Sequence, residues 1–140
     1  MAEAEHLDAA RMPEEGLVAW THVIYGLHTL AVLIGVTSAA TVVGAFIFSV
    51  PSIVAVVLSY LKRSEAAGTY LASHYRWLIR TFWFAVMWGA IATVLTLLLA
   101  LTIVGLVIFW LPLLVVGVWL IYRILRGWLA LKDARPLPVA

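Results

Sequence analysis

Two uninterrupted stretches without Asp, Glu, Lys or Arg, residues 17–61 and 81–122, run for 45 and 42 residues. A hydrocarbon core about 30 Å thick is crossed by about 20 apolar residues in a helix. Wound as single helices at about 1.5 Å per residue, the two stretches would reach roughly 63–68 Å, twice that thickness. Each therefore has to fold back on itself, which predicts an all-α integral membrane protein, a four-helix bundle made of two hairpins. Composition points the same way. Apolar residues make up 65% of the 140 and charged ones only 11%, with a mean hydropathy of +1.08, against roughly 25% charge in soluble domains. That balance excludes a disordered chain, a nucleic-acid-binding module and a conventional soluble enzyme. There is no cysteine, and so no disulfide, thiolate metal site or thiol nucleophile.

Helix breakers place the turns. Gly35, Thr37, Ser38, Thr41 and Gly44 gather small and polar residues near the middle of the first stretch, which predicts spans over 17–36 and 41–61. Pro51 falls inside the second of these and should kink or break it. In the second stretch Thr102–Gly105 is the better turn, because a turn at Pro112 would leave too short a return before Arg123. Spans three and four are then expected over 77–101 and 106–126. Residues 1–16 form an acidic tail, with a short helix expected over 3–11, and residues 132–140 a second tail. The acids flanking the first span, Glu3, Glu5, Asp8, Glu14 and Glu15 against one Arg11, do not suit a cleaved signal peptide.

Under this four-span arrangement the nine basic and seven acidic residues all lie on one side of the membrane, and neither hairpin tip carries a charge. The excess of Lys and Arg assigns that side to the cytoplasm, with both termini there. Between the hairpins, residues 62–80 read KRSEAAGTYLASHYRWLIR. Gly68 suits a turn. After it Tyr70, Leu71, His74, Tyr75 and Leu78 recur at helical spacing, which predicts a short amphipathic helix over 67–76 in the headgroup region, bending into span three, with Arg76 and Arg80 reaching lipid phosphates. Trp77, Arg123, Arg126 and Trp128 are expected at the same interface.

The run Gly68-Thr69-Tyr70-Leu71, then Ser73-His74-Tyr75-Arg76-Trp77 and Ile79-Arg80-Thr81-Phe82-Trp83-Phe84, resembles the central signature of a family of small bacterial four-span membrane proteins with a domain of unknown function. Arg123 to Leu131, followed by Asp133, Pro136 and Pro138, resembles that family's ending, and His22 and Tyr25 match its opening span. The family is distantly similar in hydropathy to a four-helix component of the chloroplast inner-envelope protein translocon. The resemblance implies a bacterial inner-membrane protein and carries no established activity.

Three histidines stand out, because a polar side chain in lipid needs a partner. His22 and His74 are expected near one face, where two imidazoles on different helices could ligate a haem b axially; hydrogen bonds to backbone carbonyls, Tyr25 or phosphate are the simpler use. His28 is deeper and shares a helical face with Thr21 and Tyr25, a face expected to turn toward protein. It is a candidate for a proton or quinone site. No carboxylate lies inside any span to relay protons, and no phosphate loop, acidic metal cluster or Ser-His-Asp set is present; enzyme activity is not expected. The seven tryptophans read mainly as anchors, with Trp88, Trp110 and Trp119 deeper, against a neighbouring subunit or a pigment-like ligand. Ala85, Gly89 and Thr93 space small residues by four, the pattern that lets helices approach closely. These features favour a non-catalytic accessory, assembly or stabilising subunit of a larger membrane complex, in contact with lipid and with other subunits or copies of itself. The alternatives are a small haem- or quinone-binding protein and a channel or translocon-like component.

Overall fold

Proline and the small residues decide where each helix stops. The computed structural model describes residues 12–37 and 41–138; the expected helix over 3–11, and Ser38 and Ala40 near the first turn, lie outside them. Within the described residues six helices follow in order: α1 Glu15–Thr37, α2 Val42–Phe48, α3 Val50–Lys62, α4 Leu71–Ala100, α5 Gly105–Ile108 and α6 Leu111–Lys132. No strand occurs among the described residues. Among the described residues three helical segments are long and apolar enough to cross a membrane: α1, α4, and the stretch Gly105–Lys132 that contains α5 and α6.

The expected second span is divided in two. Thr41 caps α2, its side chain accepting from the Gly44 N–H at 3.0 Å, as an N-cap threonine does. Ser49 then turns extended, with ψ 145°, and α3 starts with Pro51 in its first turn. Proline has no N–H to give the carbonyl four residues back, and its ring crowds that carbonyl. The helix therefore restarts instead of continuing. Pro112 acts alike at the start of α6, which separates α6 from the single turn of α5. Between α4 and α5 the chain reverses at residues 101–104. There a Cβ on Gly105 would overlap the Leu99 carbonyl oxygen and the Thr102 hydroxyl, so the reversal leaves no room for a side chain.

A separate helix over 67–76 is not what forms. Residues 63–70 are turn and bend, closed by Gly68 at φ 77°, and from Leu71 the helix runs unbroken for 30 residues. Nothing between 71 and 100 is a proline, so the amphipathic opening and the apolar shaft wind as one rod.

The buried positions of α1 are Leu17, Thr21, Ile24, Tyr25, His28, Ala31, Val32 and Gly35, spaced by three and four, the signature of one packed stripe. Against it α3 lays Ser52, Ala55, Val56 and Ser59. Lys62 sits 5.7 Å from the Trp20 ring and Ser52 beside His28, so α3 runs antiparallel to α1. Similarly His74, near the start of α4, reaches the Arg135 carbonyl just past α6, and Thr81, two turns further on, meets the Arg123 side chain, which makes α4 and α6 antiparallel. The core these hairpins share includes Ile24, Phe46, Leu71, Leu78, Phe82 and Leu120. Beyond it the second hairpin continues alone: the last buried residue of α4 is Ala92 and the first of α6 is Gly117.

The C-terminus is folded back. The Arg135 N–H donates to the Ala130 carbonyl at 2.9 Å and the Ala134 N–H to the Leu131 carbonyl at 3.0 Å, the paired bonds of a Schellman ending. Its left-handed residue is Ala134, at φ 51°. An L-residue pays about 1–2 kcal/mol in that conformation, against about 0.4–1 kcal/mol of extra chain entropy brought by glycine. Ala134→Gly is accordingly expected to raise the thermal unfolding midpoint in detergent, by an amount equivalent to about 0.5–1 kcal/mol; a lower midpoint would contradict this ending.

Candidate functional site

Polar side chains that a sequence of this hydropathy can ill afford to bury are concentrated where the N-terminal parts of α1 and α4 meet the C-terminal part of α6. His74, completely buried, sits at the centre. Its Nε2 lies 2.8 Å from the Arg135 carbonyl oxygen, an acceptor, so Nε2 carries the proton and donates. Nδ1 is then the acceptor, and the Tyr25 hydroxyl, 3.0 Å away, donates to it. One residue earlier the Ser73 hydroxyl accepts from the Leu137 N–H at 2.9 Å. Residues 135–137 are thus strapped to the start of α4 by two hydrogen bonds.

Tyr25 is as buried as His74. Its ring stacks on Trp128 at 6.5 Å and 14°, and meets His74 edge-on at 6.0 Å. The place it occupies exists because α6 carries Gly127: a Cβ there would lie 2.6 Å from the Tyr25 hydroxyl and 3.0 Å from Trp77 Nε1. Trp128 in turn donates from Nε1 to His22 Nδ1 at 3.2 Å. On the adjoining turn of α1, Thr21 shares hydrogen bonds with the Leu17 carbonyl at 2.8 Å and the Tyr75 hydroxyl at 3.1 Å. Every one of these links joins positions far apart in the chain or closes on the helix's own backbone, which satisfies polar groups that burial would otherwise penalise.

A second cluster flanks the first. Arg123 is half-buried; its guanidinium lies 3.8 Å from the Trp77 ring centroid, and its Nε donates to Thr81. Trp77 is buried and donates to the Arg123 carbonyl at 3.2 Å. Arg76, Arg80 and Arg126 are exposed, and Trp128 is half-buried.

His28 is separate from both. It is buried between α1 and α3, stacked on Phe46 at 4.9 Å, with Ser52 Oγ 3.3 Å from Nδ1 and no hydrogen-bond partner at Nε2. Of the small-residue series, Ala85 and Gly89 are buried, and a Cβ on Gly89 would meet Val43 at 2.7 Å and Ile47 at 3.1 Å. α2 is therefore the partner at that position. Thr93 is exposed, and Ala92 takes the buried place expected of it; from Gly89 three residues, not four, lead back to the contact.

The three histidines do not converge. His74 and His22 lie on either side of Tyr25 and Trp128, and both His74 nitrogens are engaged. Among the described residues no group of three or more His, Cys, Asp or Glu is placed to hold a metal ion. Folding the strap back also leaves an open groove of about 450 Å³ bordered by Tyr122, Arg126, Leu129, Arg135 and Leu137.

Sequence reading singled out His74, Tyr25 and Arg123 and offered Tyr25 and backbone carbonyls as partners for His74, without saying that the carbonyl is that of Arg135 or that Arg123 bonds Thr81. Ser73, Thr81, Gly127 and the backbone of Arg135 and Leu137 were missed. Ser52 had a detectable signal: with Ala55 and Ser59 it marks a small polar stripe on α3, complementary to the Thr21, Tyr25 and His28 stripe of α1.

No family model, curated protein or solved structure matches the chain. The fold defines a class: among the described residues, an all-helical protein with three segments long and apolar enough to cross a membrane.

Proposed function

We propose that this chain crosses a bacterial inner membrane four times, with both termini cytoplasmic, and serves without catalysis as an accessory or assembly subunit of a larger membrane complex. The observation that carries this reading is the division of the molecule. Buried Thr21, Tyr25, Ser73, His74 and Thr81 hold α1, α4, α6 and the C-terminal strap together, while Ser52 bonds His28 between α3 and α1. Residues 93–116, by contrast, present Val94, Leu98, Val107, Trp110 and Val115 with half or more of each uncovered by the rest of the chain. In lipid such a surface is available for lateral packing against another helix. The four-crossing arrangement is supported by the antiparallel pairing within each half and by the gathering of Lys62, Arg76, Arg80, Arg123, Arg126 and Lys132 at one end of the bundle.

Because the chain has no cysteine, single cysteines can be labelled without background. Thr102→Cys is expected to react with an impermeant maleimide from outside the cell, and Glu65→Cys only after the membrane is opened; labelling of both from one side would overturn the topology. For the role itself, native electrophoresis after mild detergent extraction should place the chain in an assembly larger than its own 15.4 kDa and micelle. Migration alone in every mild detergent would overturn it.

A second reading rests on His28. Its Nε2, buried and without a hydrogen-bond partner among the described residues, suits a hydrogen bond to a small carbonyl compound such as a quinone. Extraction of the purified protein into organic solvent, followed by ultraviolet spectroscopy for a bound quinone, tests it; a quinone-free extract from freshly prepared membranes would count against it.

A further inference from the structure

Where α4 meets α6, three guanidinium groups share two aromatic rings. Arg80 and Arg123 lie 5.8 and 5.9 Å from the Phe84 centroid, and Arg123 and Arg126 lie 3.8 and 5.9 Å from that of Trp77. Trp119 closes the site, 5.5 Å from Arg123. The only hydrogen bonds these side chains make within the described residues are from Arg123 Nε to Thr81 and from Arg126 Nη1 to the Tyr122 hydroxyl at 3.1 Å. No acid answers them: among the described residues Glu65 pairs with Lys62 and Asp133 with Arg135, and no carboxylate comes within ion-pair distance of the three. Like charges drawn together in a partly desolvated place favour an anion between them, and aromatic faces alone do not neutralise them.

The surroundings say which anion. On one side of the cluster both helices carry charge, and on the other α4 runs uncharged through Met87, Trp88 and Ile91, all exposed and in register with Arg80 and Phe84 on one helical face. A free inorganic anion would use only the cationic half of this surface. A molecule with a phosphodiester above hydrocarbon chains uses both, and arginine forks suit phosphate oxygens. Resting on the membrane reading above, we propose that Arg80, Arg123 and Arg126 form a binding site for the phosphodiester of an anionic phospholipid, whose acyl chains lie along the Phe84, Trp88 and Ile91 face of α4.

The full-length protein, exchanged in detergent into equal amounts of phosphatidylglycerol and phosphatidylcholine with identical chains, is to be analysed by native mass spectrometry. Retention of phosphatidylglycerol is expected to exceed that of phosphatidylcholine by about tenfold. Arg123→Gln should abolish the preference. Because that variant also loses the bond to Thr81, the pair Arg80→Gln and Arg126→Gln, both at exposed positions, provides the independent arm and should also abolish it. Arg135→Gln, which removes only the partner of Asp133, should retain it. An unchanged preference in the Arg80 and Arg126 pair would overturn the proposal, as would complete displacement of the lipid by inorganic phosphate. Equal retention of both lipids by protein that resists alkaline extraction from vesicles would overturn the site while leaving the membrane crossing intact. Release of the protein by alkali would overturn the reading beneath it.

Discussion

Replacing Gly127 by alanine is expected to cost the folded protein about 2 kcal/mol, seen as a fall of several degrees in its unfolding midpoint in detergent. By helix propensity alone the change should help, because alanine exceeds glycine by about 1 kcal/mol inside a helix. The added methyl, however, has nowhere to go. It meets the Tyr25 hydroxyl at 2.6 Å and the same ring's Cε1 at 2.9 Å, and neither is a loose side-chain end. Tyr25 is fixed by its bond to His74 and its stacking on Trp128, and Trp77 blocks the remaining direction. Either the ring shifts and its hydroxyl loses His74, or α6 backs away from α1 and α4. Overpacking of this kind costs about 1–3 kcal/mol, and an unmade buried hydrogen bond about 1–3 kcal/mol more. Gly26→Ala is the control, since a Cβ at Gly26 meets nothing within 4 Å, and it should be neutral or stabilising. Equal midpoints for the two variants would refute the close approach of α6 to Tyr25.

His74→Ala should be at least as damaging, by about 3 kcal/mol, and its effect should also be local in a recognisable way. The substitution leaves the Tyr25 hydroxyl and the Arg135 carbonyl without their partner and opens a cavity where the ring was. It also removes one of the two bonds that hold the C-terminal strap. Amide exchange at Leu137, whose N–H is bonded to Ser73, should therefore accelerate far more than exchange in α3. Tyr25→Phe separates the two effects. It strips only the bond at Nδ1 and leaves the strap attached through Nε2, so it should destabilise the protein by about 1–3 kcal/mol with Leu137 still protected. Combined, the two substitutions should cost less than the sum of their separate costs, because they share one hydrogen bond. Unaltered exchange at Leu137 in His74→Ala would show that the strap is held by something else.

These two experiments address a region that the sequence described in part, offering Tyr25 and backbone carbonyls as partners for His74 but giving no role to Gly127. Periodicity identified a packed face on α1 from Thr21, Tyr25 and His28, and the structure buries all three. Pro51 announced the break between α2 and α3, since a missing N–H acts on its own helix whatever surrounds it. Local chemistry of this kind is written in a few adjacent residues. The separate helix expected over 67–76 failed for the complementary reason: a change from amphipathic to wholly apolar composition marks a change of surroundings, and without a glycine or proline the backbone has no cause to bend there. Thr93 is exposed within the chain because four-residue spacing drifts slowly around a helix, and the position of α2 decides which small residue the chain itself covers.

What the chain determines by itself is its class. Two charge-free runs, too long for one crossing each, and prolines and glycines at set places commit it to all-helical structure with faces of known polarity. What only tertiary structure decides is which face meets which. His74 finds Tyr25 across 49 positions and the Arg135 carbonyl across 61, and Gly127 matters solely because a tyrosine from α1 fills the space beside it. Hydrogen bonds and steric contacts act over a few ångströms, so their partners are defined by how the helices are arranged in space and not by distance along the chain.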